Sequence, residues 1–206
     1  MFLKKNSLLK AWISAARIRT LPLSVSGILI GSSYAYYSDK FIFSVFIIAV
    51  LTTISYQLLS NFANDYGDGV KGTDDKRIGP QRTVQSGLIS QVLMKRGIII
   101  LSLISTFLTL TLIIQAFGLK SFYVLIFAAL GGLAILSAIK YTVGKFAYGY
   151  FGLGDFFVFI FFGLISVLGS NFLFDSVLEL KLLKPSVALG LLSVGVLNLK
   201  IGRAHV

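Results

Sequence analysis

Five uncharged apolar runs, each long enough to cross a lipid bilayer, constrain this chain more than any other feature. They occupy residues 21–37, 41–62, 98–117, 122–139 and 156–174, and a sixth run, 187–199, starts in the same way and is cut short. A transmembrane helix needs about 20 mostly apolar residues, with a range of about 17–25. Only helices and closed barrels satisfy their backbone groups in hydrocarbon, and runs of this length read as helices. The expectation is therefore an all-α, polytopic transmembrane bundle of five to six helices forming one membrane domain over residues 1–199. There is no internal repeat and no soluble domain. The first run is not a cleavable signal, because no small-residue cleavage pattern follows it.

Composition excludes most alternatives. The chain is 56% hydrophobic and 13% charged, against roughly 45–50% and about 25% for soluble domains. It has no cysteine, and its one histidine, His205, is second from the end. Thiolate metal sites, cysteine nucleophiles and Ser-His-Asp catalysis have nothing to work with. Any chemistry falls to Asp, Glu, Lys, Arg, Tyr and Asn.

The net charge of +11 reads as positive loops and not as a nucleic-acid surface, because the basic residues alternate sides. Lys4, Lys5, Lys10, Arg17 and Arg19 precede the first run. Lys71, Lys76, Arg77, Arg82, Lys95 and Arg96 lie between the second and third, and Lys140 and Lys145 between the fourth and fifth. The opposite side has Lys40, Lys120, Lys181 and Lys184, so the asymmetry is 13 to 4. The positive-inside rule then puts the N-terminus and the long second connection in the cytoplasm.

The final residues, Ile201-Gly202-Arg203-Ala204-His205-Val206, set Arg and His against an unfinished apolar run with no helix-stop signal. The hexapeptide also resembles one translated frame of a common sequencing adapter. Residues 200–206 are expected to be a non-native tail, alongside the plain alternative of a short juxtamembrane segment.

Chemistry concentrates after the second run. Four of the chain's eight acids fall within residues 60–75. On a continuing helix, Asn61 and Asp65, Asn64 and Asp68, and Asp65 and Asp68 are three or four apart, which puts two carboxylates and two carboxamides on one side. Gly67, Gly69 and Gly72 are expected to release the chain into a loop. Magnesium prefers oxygen and typically takes one or two carboxylates plus substrate phosphates. Lys71, Lys76, Arg77 and Arg82 follow at once and suit the remaining phosphate oxygens, Arg bidentately. The bland reading is a solvated loop capping a helix. Against it, acids at a helix C-terminus face the negative end of the dipole and call for a compensating cation.

Asn64-Asp65-x-x-Asp68 resembles the first aspartate-rich motif of the UbiA superfamily of intramembrane prenyltransferases. The longer string from Asn61 through Gly72 to Arg77-Ile78-Gly79-Pro80-Gln81-Arg82 is similar to the branch that prenylates 1,4-dihydroxy-2-naphthoate in menaquinone synthesis. The superfamily commonly has a third Asp four residues after the second. Here that position is Gly72, as is usual in the naphthoate branch, with Asp74 soon after. Ala16-Arg17-Ile18-Arg19-Thr20-Leu21-Pro22-Leu23 resembles the family's approach to its first helix, and Tyr148-Gly149-Tyr150-Phe151-Gly152-Leu153-Gly154-Asp155 its loop before the fifth.

The resemblance covers roughly residues 10–199 and implies the first five to six helices of a nine-helix bundle. The second aspartate-rich motif, after the sixth helix, lies beyond the matching region, so the chain as given is expected to be inactive. The implied activity is transfer of a polyprenyl group from polyprenyl diphosphate to the naphthoate with decarboxylation, in a bacterial cytoplasmic (inner) membrane. The implied site has Asp65 and Asp68 as catalytic residues and Asn64, Asp65, Asp68 and Asp74 toward Mg2+. Asn61, Asn64, Lys71, Arg77 and Arg82 go toward the diphosphate. Another acceptor, such as 4-hydroxybenzoate, is the alternative within the family. A small transporter is the alternative outside it, though that would predict charges or broken helices at mid-membrane.

The remaining polar positions each carry two readings. Arg17, Lys140, Tyr141, Lys145 and Asp155 are candidates for holding the aromatic acid, with Tyr148 and Tyr150 beside them. Asp155 reads equally as an acidic helix N-cap, and the Tyr and Lys residues as an interfacial belt. Gln57, one turn before Asn61, lines a cavity or bonds a neighbouring helix. Gly131-Gly132 and Gly163 are expected to permit close helix packing.

Overall fold

The computed structural model describes residues 2–72, 82–119 and 121–205, with side chains described within residues 8–199 of these. Every regular element among them is helical: α1 (Phe2–Ala16), α2 (Leu21–Tyr37), α3 (Phe43–Lys71), α4 (Gln91–Phe117), α5 (Tyr123–Lys140), α6 (Gly154–Val158), α7 (Ser170–Asp175) and α8 (Leu183–His205). A π-helical stretch, Phe159–Gly169, joins α6 to α7 as one span. Among the described residues six segments are long and apolar enough to cross a membrane, and they include Leu180–Leu199, so the sixth run is not cut short but reaches spanning length.

Local chemistry sets the boundaries. Pro22 occupies the first turn of α2, where its missing N–H costs nothing. The Ser90 hydroxyl accepts from the Leu93 amide and caps α4. α3 ends at Gly72, whose φ of 68° is the left-handed C-terminal conformation that glycine adopts without strain.

That places the end of α3 later than the sequence suggested. Gly67 and Gly69 do not release the chain; they are helical, and they are small because loops press on them. A Cβ on Gly67 would meet Thr142 Oγ1 at 2.6 Å and the Thr142 backbone carbon at 2.8 Å. One on Gly69 would meet Val84 Cγ1 at 2.8 Å.

α3 is the central helix and packs against α1, α2, α4 and α5. Without a hydrophobic force between helices in lipid, small residues and buried hydroxyls supply the contacts. Ser105 donates to Ser55 at 3.0 Å between α3 and α4. Gly27 and Gly31 of α2 lie directly against Ser166 and Ser170, and Asn171 donates to the Gly31 carbonyl at 3.2 Å. Gly163 and Gly190 bring the π-helical stretch against α8, and Gly131 meets Thr109. Gly132 differs from expectation: it has open space around it.

Candidate functional site

The polar end of α3 is held from three sides. The first is the elbow between α1 and α2. Asn61 donates to the Ala16 carbonyl at 2.7 Å and to Thr20 Oγ1 at 3.2 Å, and accepts from Gln57 at 3.1 Å. Gln57 in turn accepts from Ser24 at 2.5 Å. Of its two readings, Gln57 takes the interhelical one. Asn61 is buried and its amide ties the elbow to α3.

The second side is the segment that follows the long connection after α3. Asp65 is 2% exposed. Its Oδ2 accepts from the Thr83 amide at 3.2 Å and the Thr83 hydroxyl at 2.8 Å, and its Oδ1 from the Val84 amide at 3.1 Å. Three donors on one buried carboxylate make it a rigid fastening. Asp68, one turn on, forms an ion pair with Arg82 at 2.6 Å. Acids at the negative end of a helix dipole are thus compensated from within the chain, one by N–H and O–H donors and one by a guanidinium.

The third side is the loop between α5 and α6. Thr142 donates to the Ala63 carbonyl at 3.0 Å and to Asn64 Oδ1 at 3.2 Å. The Tyr150 hydroxyl donates to Asp68 Oδ1 at 2.5 Å, while the Lys71 ammonium lies 3.9 Å above the Tyr150 ring. Asp68 therefore bridges two loops that are separate in sequence.

The four residues Asn61, Asn64, Asp65 and Asp68 share an arc of about 100° on α3, as their spacing required. Asn61 faces the elbow, Asp65 the 82–84 segment, Asn64 the loop between α5 and α6, and Asp68 both of the last two, so the surface they present is divided among three contacts. Among the described residues no group of three or more His, Cys, Asp or Glu converges as a metal centre. Asp74 and Arg77 lie outside the described residues.

Arg17 is half-buried and adopts left-handed backbone angles (φ 49°, ψ 53°) at the elbow. Such a conformation in a residue other than glycine stores strain and is enriched at functional positions. Lys140, Lys145 and Arg19 are exposed. Tyr141 packs against both Gly149 and Gly154. Burial, then the nearby Asp68 and Asp155 charges, push its phenol above the ordinary value. Tyr148 stands edge-on to Tyr141 at 5.3 Å and donates to the Ser137 carbonyl at 2.9 Å; burial raises its phenol strongly. Asp155 is exposed and accepts from Asn198 of α8 at 3.2 Å, so its carboxylate reaches across to another helix and does not cap its own.

Thr83 and Thr142 were missed by reasoning from sequence. Each is a lone threonine in a loop, and no spacing rule connects it to α3. Gly67, which Thr142 presses on, and Gly69, pressed on by Thr83's neighbour Val84, were the available signal.

Comparison with known proteins identifies the family. A family model described as the UbiA prenyltransferase family matches residues 24–204. A 1,4-dihydroxy-2-naphthoate octaprenyltransferase of Escherichia coli (strain K12) is 44% identical over 191 residues, which is 92% of this chain and 62% of that protein. The protein of the same name from Haemophilus influenzae is 43% identical over 197 residues, covering 94% and 64%. One from Mycobacterium tuberculosis is 35% identical over 186 residues, covering 90% and 61%. The chain thus spans less than two thirds of the length of these curated relatives. No solved structure matches.

Proposed function

The chain belongs to the UbiA prenyltransferase family, and we propose that it serves to transfer a polyprenyl group from polyprenyl diphosphate to 1,4-dihydroxy-2-naphthoate, giving a demethylmenaquinone precursor. The observation that carries this reading is the clasp at the end of α3, in which the buried Asp68 carboxylate holds Arg82 and the exposed Tyr150. It lies in a chain more than 40% identical to two proteins named for that reaction.

The clasp supplies what a diphosphate needs. Arg82 is a largely buried guanidinium able to turn two N–H groups toward phosphate oxygens, with Lys71 over the Tyr150 ring and Arg77 nearby in sequence. Asn64 and Asp68, with Asp74, are hard oxygen donors that suit Mg2+, which commonly binds one or two carboxylates together with substrate phosphates. Bound there, magnesium would neutralise charge on the departing diphosphate. Asp65 contributes by holding the segment that carries Arg82, and Asn61 by holding the elbow that carries Arg17.

As the allylic C–O bond breaks, its electron pair leaves with the diphosphate, and fixed cations stabilise that charge most at this stage. The electron-rich ring carbon bearing the carboxylate bonds to the allylic carbon, and the carboxylate departs as carbon dioxide, returning its bonding pair to the ring. A helical bundle closed to water protects the allylic cation from hydrolysis. Tyr141, whose phenol senses the Asp68 and Asp155 charges, would meet the aromatic acid together with Asp155, Lys140 and Lys145. The chain sits in the bacterial inner membrane with its N-terminus in the cytoplasm, following the basic asymmetry.

The test uses the gene extended to the length of its relatives, expressed in membranes lacking the activity. Prenylation of 1,4-dihydroxy-2-naphthoate with stoichiometric carbon dioxide is expected, and Asp68→Ala should abolish it. Faster prenylation of 4-hydroxybenzoate would refute the acceptor, and full turnover by Asp68→Ala would refute the site.

A further inference from the structure

The first apolar stretch is too long for one membrane crossing. From Leu8 to Tyr37 it runs 30 residues, about 45 Å as a helix, against a hydrocarbon core of about 30 Å. α2 alone, with 17 residues, accounts for most of that core. The surplus is the second half of α1, and the break between them is fastened. Arg17 turns the backbone left-handed, its carbonyl accepts from the Thr20 amide and hydroxyl, and Asn61 holds the Ala16 carbonyl. α1 is therefore not a continuation of α2.

The depth of α1 is set by what it touches. Trp12 packs on Phe62, with ring centroids 5.1 Å apart, and covers Gly97. Ala11 and Ala15 join Ala63, Ile89 and Met94 in one buried cluster. These contacts lie where α3 changes from apolar to polar and where α4 begins beside Lys95 and Arg96. That is the level of a membrane–water boundary.

The sides of α1 are distinct. Ala11 and Ala15 face the bundle and are buried. Leu9 and Ile13, four residues apart, are 60% and 49% exposed. Lys10 and Ser14, also four apart and one step further round, are exposed as well. An exposed surface split lengthwise into an apolar strip and a polar strip matches a helix lying in the interfacial plane. Its charge is one-sided: residues 1–38 hold Lys4, Lys5, Lys10, Arg17 and Arg19, and no acid.

We propose that α1 is an interfacial helix that lies along the cytoplasmic leaflet and binds anionic lipid headgroups, with Leu9 and Ile13 in the acyl boundary and Lys10 and Arg19 against lipid phosphates. The acids that would balance these cations are supplied by the bilayer. Each basic residue near an anionic surface adds to the attraction within a Debye length.

The chain has no cysteine, so single labels report unambiguously. Leu9→Cys, Lys10→Cys, Ile13→Cys and Ser14→Cys are spin-labelled in the whole chain, reconstituted in phosphatidylcholine vesicles with or without phosphatidylglycerol. Collisions with oxygen and with a water-soluble nickel reagent give depth, and the single Trp12 reports by fluorescence that packing is intact. Labels at 9 and 13 are expected roughly 5–10 Å inside the headgroup boundary, and those at 10 and 14 open to nickel. The labels at 9 and 13 should move deeper with phosphatidylglycerol, and Lys10→Gln with Arg19→Gln should abolish that shift. Four labels buried alike would make α1 part of a span. Four open to water would detach it from the bilayer, and spin–spin broadening at 9 and 13 would mean contact between copies. Any of these, or a depth indifferent to phosphatidylglycerol, overturns the proposal.

Discussion

Asp68 and Arg82 are 14 residues apart in sequence and meet at 2.6 Å, each side chain 11% exposed. The connection that separates them is closed at its base by this pair and, one turn earlier, by the grip of Asp65 on Thr83 and Val84.

Breaking a buried pair from one side leaves a charge without its partner, at a cost of about 3–5 kcal/mol. Asp68→Asn and Arg82→Gln are each expected to lower the melting temperature in detergent. The double variant should lose less than the two singles together. Strict additivity in this double-mutant cycle would mean the pair is not coupled.

Asp65→Ala removes the acceptor for two backbone amides at once. Amide hydrogen exchange at Thr83 and Val84 should accelerate at least tenfold, on the order of 1.4 kcal/mol of lost protection, while exchange in the middle of α4 stays unchanged. Asp65→Asn, which keeps one acceptor oxygen, should show an intermediate effect. Unchanged exchange in Asp65→Ala would show that the fastening is not formed.

Two glycine substitutions should have opposite signs. Gly67→Ala drives a methyl group into Thr142, and overpacking of this kind costs about 1–3 kcal/mol. Gly132→Ala enters open space in α5 and should stabilise by about 0.5–1 kcal/mol by restricting the unfolded chain. Equal melting shifts in the two variants would contradict the packing at the end of α3.

The raised phenol of Tyr148 sets an alkaline limit. The unfolded chain ionises near pH 10, while burial keeps the folded Tyr148 neutral. Its stabilising contribution is complete below about pH 10 and is lost as pH rises toward the folded value. Melting temperatures of the native chain and Tyr148→Phe should therefore keep a constant difference from pH 7 to about 9.5 and converge above pH 10. A difference that widens there would reverse the assignment.

For topology, single cysteines at Ser86 and Tyr37, both exposed, should label from opposite faces of sealed vesicles. Ser86 should be reached from the cytoplasmic face. Labelling of both from one face would exclude the N-in orientation.

Five of the six spans and the family motif were readable from sequence, because apolar length and charge are properties of consecutive residues; the sixth read as cut short. So was the common arc of Asn61, Asn64, Asp65 and Asp68, which follows from helical spacing alone. What each of them faces was not readable. Asn61 turns to a carbonyl 45 residues away, and Asn64 to a threonine 78 residues away. Partner choice at such separations depends on how three loops converge. The same convergence keeps α3 helical through Gly67 and Gly69, where local propensity favours a loop, because a small residue in a helix is what lets Thr142 and Val84 approach. Sequence thus determined that the acids lie at one end of one helix. Only the tertiary structure decided that this end is buried under its own loops, since burial there comes from contacts that no local pattern encodes.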